Sequence, residues 1–180
     1  MEAMGHSNIF LVGMMGAGKT TVGRALATRM KREFVDTDRL LVDRTGVAVA
    51  TVFEIEGEEG FRRRESAILR EVCEQDERVV ATGGGIVLAE ENLQVMRESG
   101  TVVYLRARLE SLWERTRHDS SRPLLKTANP RGTLAELLAI REPLYREAAH
   151  VIVDTGSQSA SSLANKVVSA LRAHDAGLAS

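Results

Sequence analysis

The chemistry in this chain starts at Lys19 and Thr20, which close the octet Gly13-Met14-Met15-Gly16-Ala17-Gly18-Lys19-Thr20. Every fixed position matches the spacing G-x-x-x-x-G-K-[ST]. Glycines at Gly13, Gly16 and Gly18 let backbone N–H groups curl around phosphate oxygens with no Cβ in the way. A helix N-terminus behind them adds the positive end of its dipole, which extends the cradle over Ala17 and Thr21. Lys19 is placed to reach β- and γ-phosphates, and the Thr20 hydroxyl to hold Mg2+. The octet therefore predicts nucleoside triphosphate binding.

Four further clusters carry charge or glycine where a ligand would need it. Phe34-Val35-Asp36-Thr37-Asp38 puts two acids one residue apart at a strand end. Either could cap a helix over Arg39–Arg44, but capping does not explain both. Asp36 could reach Mg2+ directly or through water, and Asp38 an acceptor hydroxyl. In the helix expected from Gly60, Phe61, Ile68, Leu69 and Val72 share a face. Glu65 falls in its middle and Arg62 on its flank. A charge there must be paired or must serve a ligand. Arg62–Glu65 is either a plain i, i+3 ion pair or an anion ligand steadied by a carboxylate. Thr82-Gly83-Gly84-Gly85 follows a strand immediately, so the glycine run reads as a ligand-facing loop. In the helix expected over 133–149, Arg141 sits seven residues after Leu134, at the centre of an apolar stripe with Leu138, Tyr145 and Ala148. An unpartnered buried cation costs several kcal/mol, so a distant carboxylate or a substrate anion must meet it. Pro143 predicts a kink.

The basic, polar stretch from Arg115 to Leu125 has the character of a mobile lid, about residues 115–128, in which Arg122 or Arg115 could close over phosphates. Short apolar strands are expected at 8–12, 33–35, 78–81, 101–105 and 151–153, alternating with helical stretches. That pattern predicts an α/β domain with a largely parallel sheet, and ligands at the carboxyl ends of the strands.

One domain of 180 residues fits the length. A net charge of −1 gives no electrostatic case for nucleic acid or an anionic membrane. Twenty of the 24 cationic residues are arginines, which suit bidentate anion binding. Cys73 is the single cysteine, so neither an intrachain disulfide nor a paired-cysteine metal site is possible. Met1–Ser7 lacks the pattern of a signal peptide, and no apolar run is long enough to span a membrane, so a cytoplasmic protein is expected. The tail from His174 is expected to fray.

Six ordered motifs together resemble the shikimate kinase family: the octet, Phe34-x-Asp36-x-Asp38, Phe61-Arg62 with Glu65, Thr82-Gly83-Gly84-Gly85, Arg122-Pro123-Leu124-Leu125, and Arg141-x-Pro143-Leu144-Tyr145-Arg146. The resemblance runs from Asn8 to about Ala173. It implies a three-layer αβα sandwich with a five-stranded parallel sheet, a P-loop NTPase of the nucleoside monophosphate kinase type. It implies ATP and Mg2+, phosphoryl transfer to the 3-hydroxyl of shikimate, and a substrate segment over about residues 36–65. By the same resemblance Asp38 holds shikimate hydroxyls and is the base, and Asp36 lies near Mg2+. Arg62 and Arg141 grip the shikimate carboxylate, and Gly83, Gly84 and Gly85 line the substrate site. Arg122 is the lid arginine, and Arg115 stacks on adenine. The segment from Thr155 to Gln158 is left unassigned. A monomer is the default for one small domain. A kinase for gluconate or a nucleoside monophosphate, and a nucleotide-binding protein without turnover, are the rival readings.

Overall fold

The computed structural model describes residues 7–179; the N-terminal stretch read above as no signal peptide lies almost wholly outside the described residues. Five parallel strands stand in the order β2-β3-β1-β4-β5: β1 Asn8–Val12, β2 Glu33–Asp36, β3 Arg78–Ala81, β4 Gly100–Arg106 and β5 Val151–Asp154. The chain crosses from one side of β1 to the other between β3 and β4, which opens a crevice at the carboxyl end of β1. Central β1 is buried along its whole length, as an all-parallel sheet covered on both faces requires. Its register pairs Phe10 with Val80 on one side and Val102 on the other.

Helices cover the sheet: α1 Lys19–Met30, α2 Thr37–Thr45, α3 Val49–Val72, α4 Glu90–Ser99, α5 Leu109–Thr116, α6 Pro130–Ala148 and α7 Ala160–Ala179. The strands agree with the sequence reading to within a residue at each end, because each is a short apolar run bounded by polar residues. The helices depart from it at the start of α3 and the end of α7. α3 begins at Val49, well before the expected Gly60, and bends at Gly57, whose φ of 73° lies in the left-handed region. The glycine- and glutamate-rich stretch from Glu54 to Gly60 hides the helical period. α6 holds Pro143, the residue expected to kink it, in its interior and continues to Ala148. Pro143 and Ala139, whose carbonyl loses its partner, are both exposed, so water meets the freed group. α7 continues to Ala179, past the expected start of fraying. Among the described residues no helix is long and apolar enough to cross a membrane.

The base of β1 is pinned by one buried polar residue. Asn8 Nδ2 donates to the Gln75 carbonyl at 2.8 Å and to Ser99 Oγ at 2.9 Å, and its Oδ1 accepts from the Arg78 N–H at 2.9 Å. It thereby ties β1 to the approach to β3 and to the end of α4. Asn8→Ala would strand the Gln75 carbonyl and the Arg78 amide. A loss of about 2–4 kcal/mol is expected. For a domain of this size that is a fall in melting temperature of roughly 5–15 °C. Calorimetry checks it, and ligand affinities should stay put because the site lies at the other end of the strands.

Candidate active site

The loop after β1 turns through Gly16 and Gly18, both at left-handed φ (85° and 94°), and delivers α1 with no side-chain cap. The first amides of α1 are thus left for a ligand. Ala17 is buried and donates its N–H to the Met14 carbonyl at 3.1 Å, which tightens the turn. Lys19 folds its Nζ back onto the Gly13 carbonyl and onto that of Met14 at 3.1 Å. Burial lowers its pKa from 10.5 to about 8, and the nearby Asp38 charge only partly opposes this.

Asp36 does two jobs at once. Its Oδ1 caps α2, accepting from the Asp38 N–H at 3.0 Å and from that of Arg39 at 3.3 Å. Its Oδ2 accepts from the Thr20 hydroxyl at 2.7 Å. The cap belongs to Asp36, which leaves the Asp38 side chain free to point into the crevice. Burial raises the Asp38 carboxyl above its ordinary range, and the Asp36 charge pushes the same way. Lys19 and Arg122 pull against them.

The three glycines are explained by what crowds them. A Cβ built on Gly83 would lie 2.6 Å from Glu65 Oε2 and 3.1 Å from Asp38 Oδ1. On Gly84 it would lie 3.3 Å from Arg141 Nη1, and on Gly85 it would overlap the Arg62 guanidinium. Each residue of the run makes room for a charged side chain of this same chain. Arg62 donates to Glu65 Oε1 at 3.0 Å and also pairs with Glu58 at 3.5 Å. The i, i+3 ion pair of the first alternative forms, and among the described residues the Arg62 Nε and the Glu65 Oε2 are buried without a partner. Burial raises the Glu65 carboxyl, and Arg62 opposes it. Arg141 is 2% exposed, and among the described residues it forms no ion pair within 4.0 Å. The distant carboxylate that could have met it is Glu65, close enough to be felt electrostatically but joined to Arg62.

Two cavities result. A cleft of about 260 Å3 runs past Gly16, Gly18, Lys19, Thr20, Thr21 and Asp36. A smaller one, about 60 Å3, lies between Phe53, Phe61, Arg62, Glu65 and Arg141. They share Met15, Asp38, Gly83, Gly84 and Arg122, so Asp38 stands at their junction. Arg122 is held by Asp119 at 3.0 Å. Arg115 lies over the cleft and donates to the Gly16 carbonyl at 2.9 Å and to the Gly156 carbonyl at 2.8 Å. Every predicted site residue except the buried Gly13 and Ala17 lines one cavity or the other, and those two shape the loop.

Sequence reasoning missed Phe53, hidden by the unrecognised first half of α3, and Gly156, which Arg115 reaches across 41 residues. It also took Tyr145 for core alone. Its spacing of i+4 from Arg141 was the available signal. Two roomier clefts, about 770 and 650 Å3, lie elsewhere. The first is lined by Arg29, Lys31, Arg32 and Arg172 together with Glu33, Asp76 and Glu77, a surface of mixed charge. The second adjoins Gly156 and contains the Arg106–Asp154 ion pair at 2.6 Å.

Because the free Lys19 amine sits near pKa 8, its penalty on the folded state is full below that pH and fades as pH rises toward 10.5. A polyphosphate beside the amine restores its proton. Nucleotide binding at about pH 8.5 should therefore take up proton, and at about pH 6.5 much less. Calorimetry in buffers of different ionisation heat reads this directly, and Lys19→Met should abolish the uptake.

Comparison with known proteins agrees with this geometry. A family model described as shikimate kinase matches residues 15–172. A shikimate kinase of Nitrosospira multiformis is 55% identical over 164 residues, 91% of this chain and 84% of that protein. One from Bordetella pertussis is 55% identical over 167 residues, 93% of this chain and 79% of that one. The structure of an Acinetobacter baumannii shikimate kinase in complex with shikimate superposes with a TM-score of 0.91 at 45% identity, covering 93% of both chains. A Sinorhizobium meliloti gluconokinase shares the fold, with a TM-score of 0.63 at 20% identity over 96% of this chain and 95% of that one.

Proposed function

This chain belongs to the shikimate kinase family, and we propose on that footing that it transfers the γ-phosphoryl group of ATP to the 3-hydroxyl of shikimate, giving shikimate 3-phosphate and ADP. The observation that carries the reading is the junction at Asp38 between a phosphate-cradling cleft and a small cavity with two arginines in its wall. A compact hydroxylated acid placed with its carboxylate on Arg62 and Arg141 would present a hydroxyl toward Asp38. The solved relative from Acinetobacter baumannii, which holds shikimate, supports the same occupant.

Phosphoryl transfer asks mainly for positioning and for neutralising charge. Lys19 would leave the Gly13 and Met14 carbonyls for the β- and γ-phosphates. Arg122 reaches both cavities and would neutralise the transferred group from the other side. Asp38 orients the hydroxyl and accepts its proton. The raised pKa of this carboxyl suits that exchange, since a more basic carboxylate takes a proton more readily. The Thr20 hydroxyl and Asp36 carboxylate, already 2.7 Å apart, are hard oxygen donors fit for Mg2+, which when bound offsets phosphate charge. Among the described residues no cluster of three His, Cys, Asp or Glu could hold an ion unaided, so the phosphates and water would complete its shell. Arg115, set between the loop and Gly156, would face the adenine. Residues 115–128 would act as the lid that excludes water, and 36–65 as the substrate segment. A single chain supplies every one of these groups, which fits a monomer working in the cytoplasm.

A coupled ADP-release assay over shikimate, gluconate, AMP and CMP tests the acceptor. Shikimate should be fastest, and faster turnover of gluconate or a nucleotide overturns the reading. Arg141→Ala should raise the shikimate KM roughly tenfold or more, a loss of at least about 1.4 kcal/mol, with the ATP KM little changed. Arg141→Lys keeps the charge but loses the planar fork, so it should recover only part of the affinity. Equal effects on both KM values would make Arg141 structural.

A further inference from the structure

Tyr145 is fully buried, and its hydroxyl donates to the Gly84 carbonyl at 2.5 Å. Buried tyrosines need a partner for the O–H, and this one has taken the middle carbonyl of the glycine run, 61 residues away in sequence. Its ring stacks on Tyr104 with centroids 5.0 Å apart. Tyr104 in turn donates its hydroxyl to Glu142, which also accepts from Arg146 at 2.7 Å. The phenol is therefore held from behind. Tyr145 lines neither cavity; it lies behind the glycine turn.

The turn has three carbonyls, and each has one partner. The Gly83 oxygen accepts from the Ile86 N–H and the Gly85 oxygen from the Leu88 N–H, both at 3.1 Å. Only the Gly84 oxygen depends on a side chain. Among the described residues the N–H groups of Gly83, Gly84 and Gly85 donate to nothing. In a trans peptide the carbonyl of one residue and the N–H of the next point in opposite directions. Holding the Gly84 oxygen inward on Tyr145 thus turns the Gly85 N–H outward. Glycine explores both signs of φ at little cost, so nothing intrinsic to the run prevents that plane from flipping.

We propose that Tyr145 is a positioning residue for acceptor binding: its hydroxyl locks the Gly84–Gly85 peptide plane, and with it the backbone against which the Arg62 and Arg141 guanidinium groups rest. The proposal rests on the reading that the small cavity takes a carboxylate acceptor. It extends the α6 contribution from a charge to a charge and a latch. Arg141 meets the anion, and one turn later Tyr145 fixes the loop opposite. Arg141 also lies against Gly84 and its guanidinium acts on the Tyr145 hydroxyl directly, so the loop and the arginine share one phenol and only a readout on the loop itself tells the two apart.

Tyr145→Phe removes one oxygen and keeps the stacked ring. The shikimate KM should rise roughly fivefold or more while the ATP KM moves less than about twofold. In ligand-free protein the Gly85 amide resonance should shift well beyond those of residues at equal distance from the ring. An unmoved Gly85 amide overturns the latch whatever the KM does, because a KM rise alone would follow from Arg141 losing its contact with the phenol. So does a parallel rise in both KM values with a large fall in melting temperature, which would make Tyr145 plain packing. Should wild-type protein release no ADP with shikimate, the acceptor reading fails on its own, and the Gly85 amide still decides whether the hydroxyl holds the peptide.

Discussion

Four cations, Lys19, Arg62, Arg122 and Arg141, are drawn together over two small joined cavities, and the architecture around them answers the cost of that crowding. Like charges in a partly dry crevice repel one another strongly. Part of the repulsion is met by carboxylates set among them. Glu65 takes Arg62, Asp119 takes Arg122, and Asp38 lies near Lys19. Part is borne by Lys19, whose cation burial makes less stable, lowering its pKa to about 8. Arg141 can do neither among the described residues: a guanidinium does not deprotonate, and no carboxylate pairs with it. Of the four, Arg141 is thus the one whose electrostatic position improves most when an anion arrives.

Packing so many charged groups together also needs backbone that takes up almost no room. The triple glycine supplies it. Asp38 and Glu65, Arg141 and Arg62 each press on one of three successive Cα atoms, in chain order. The run therefore acts as a spacer whose lack of side chains sets how closely acid and base converge. Its three unused N–H groups are a second consequence, since a turn this narrow has no room for its own donors to find carbonyls. The sheet order completes the arrangement. With β3 and β4 on opposite sides of β1, the glycine turn after β3 and the helix after β4 flank the phosphate loop from both sides.

Much of this was legible in the sequence because it was written locally. The octet between a strand and a helix, the apolar strand runs and the paired aspartates all declare themselves within a dozen residues. Arg141 was legible for a subtler reason: helical period alone places it inside an apolar stripe, where a lone charge is out of character. What escaped was nonlocal or masked. The first half of α3 was lost because Gly57 and its flanking glutamates break the amphipathic period, and Phe53 was lost with it. The crossing from Arg115 to Gly156 links elements that only the fold brings together. Tyr145 fits an apolar stripe so well that its hydroxyl carried no message until the Gly84 carbonyl was found on it.

The electrostatics of the empty site also say which way it moves when loaded. Lys19 and Asp38 are opposite in type, yet in each the charged form is what burial disfavours. Phosphate oxygens entering the cleft bring negative charge to both. For the amine that favours the proton, so the ligand opposes the fall in pKa that burial causes. For the carboxyl it also favours the proton, which makes Asp38 more basic when a triphosphate lies beside it. One incoming charge therefore acts on both groups in the same sense, because the fold has set a buried amine and a buried carboxyl along the same crevice.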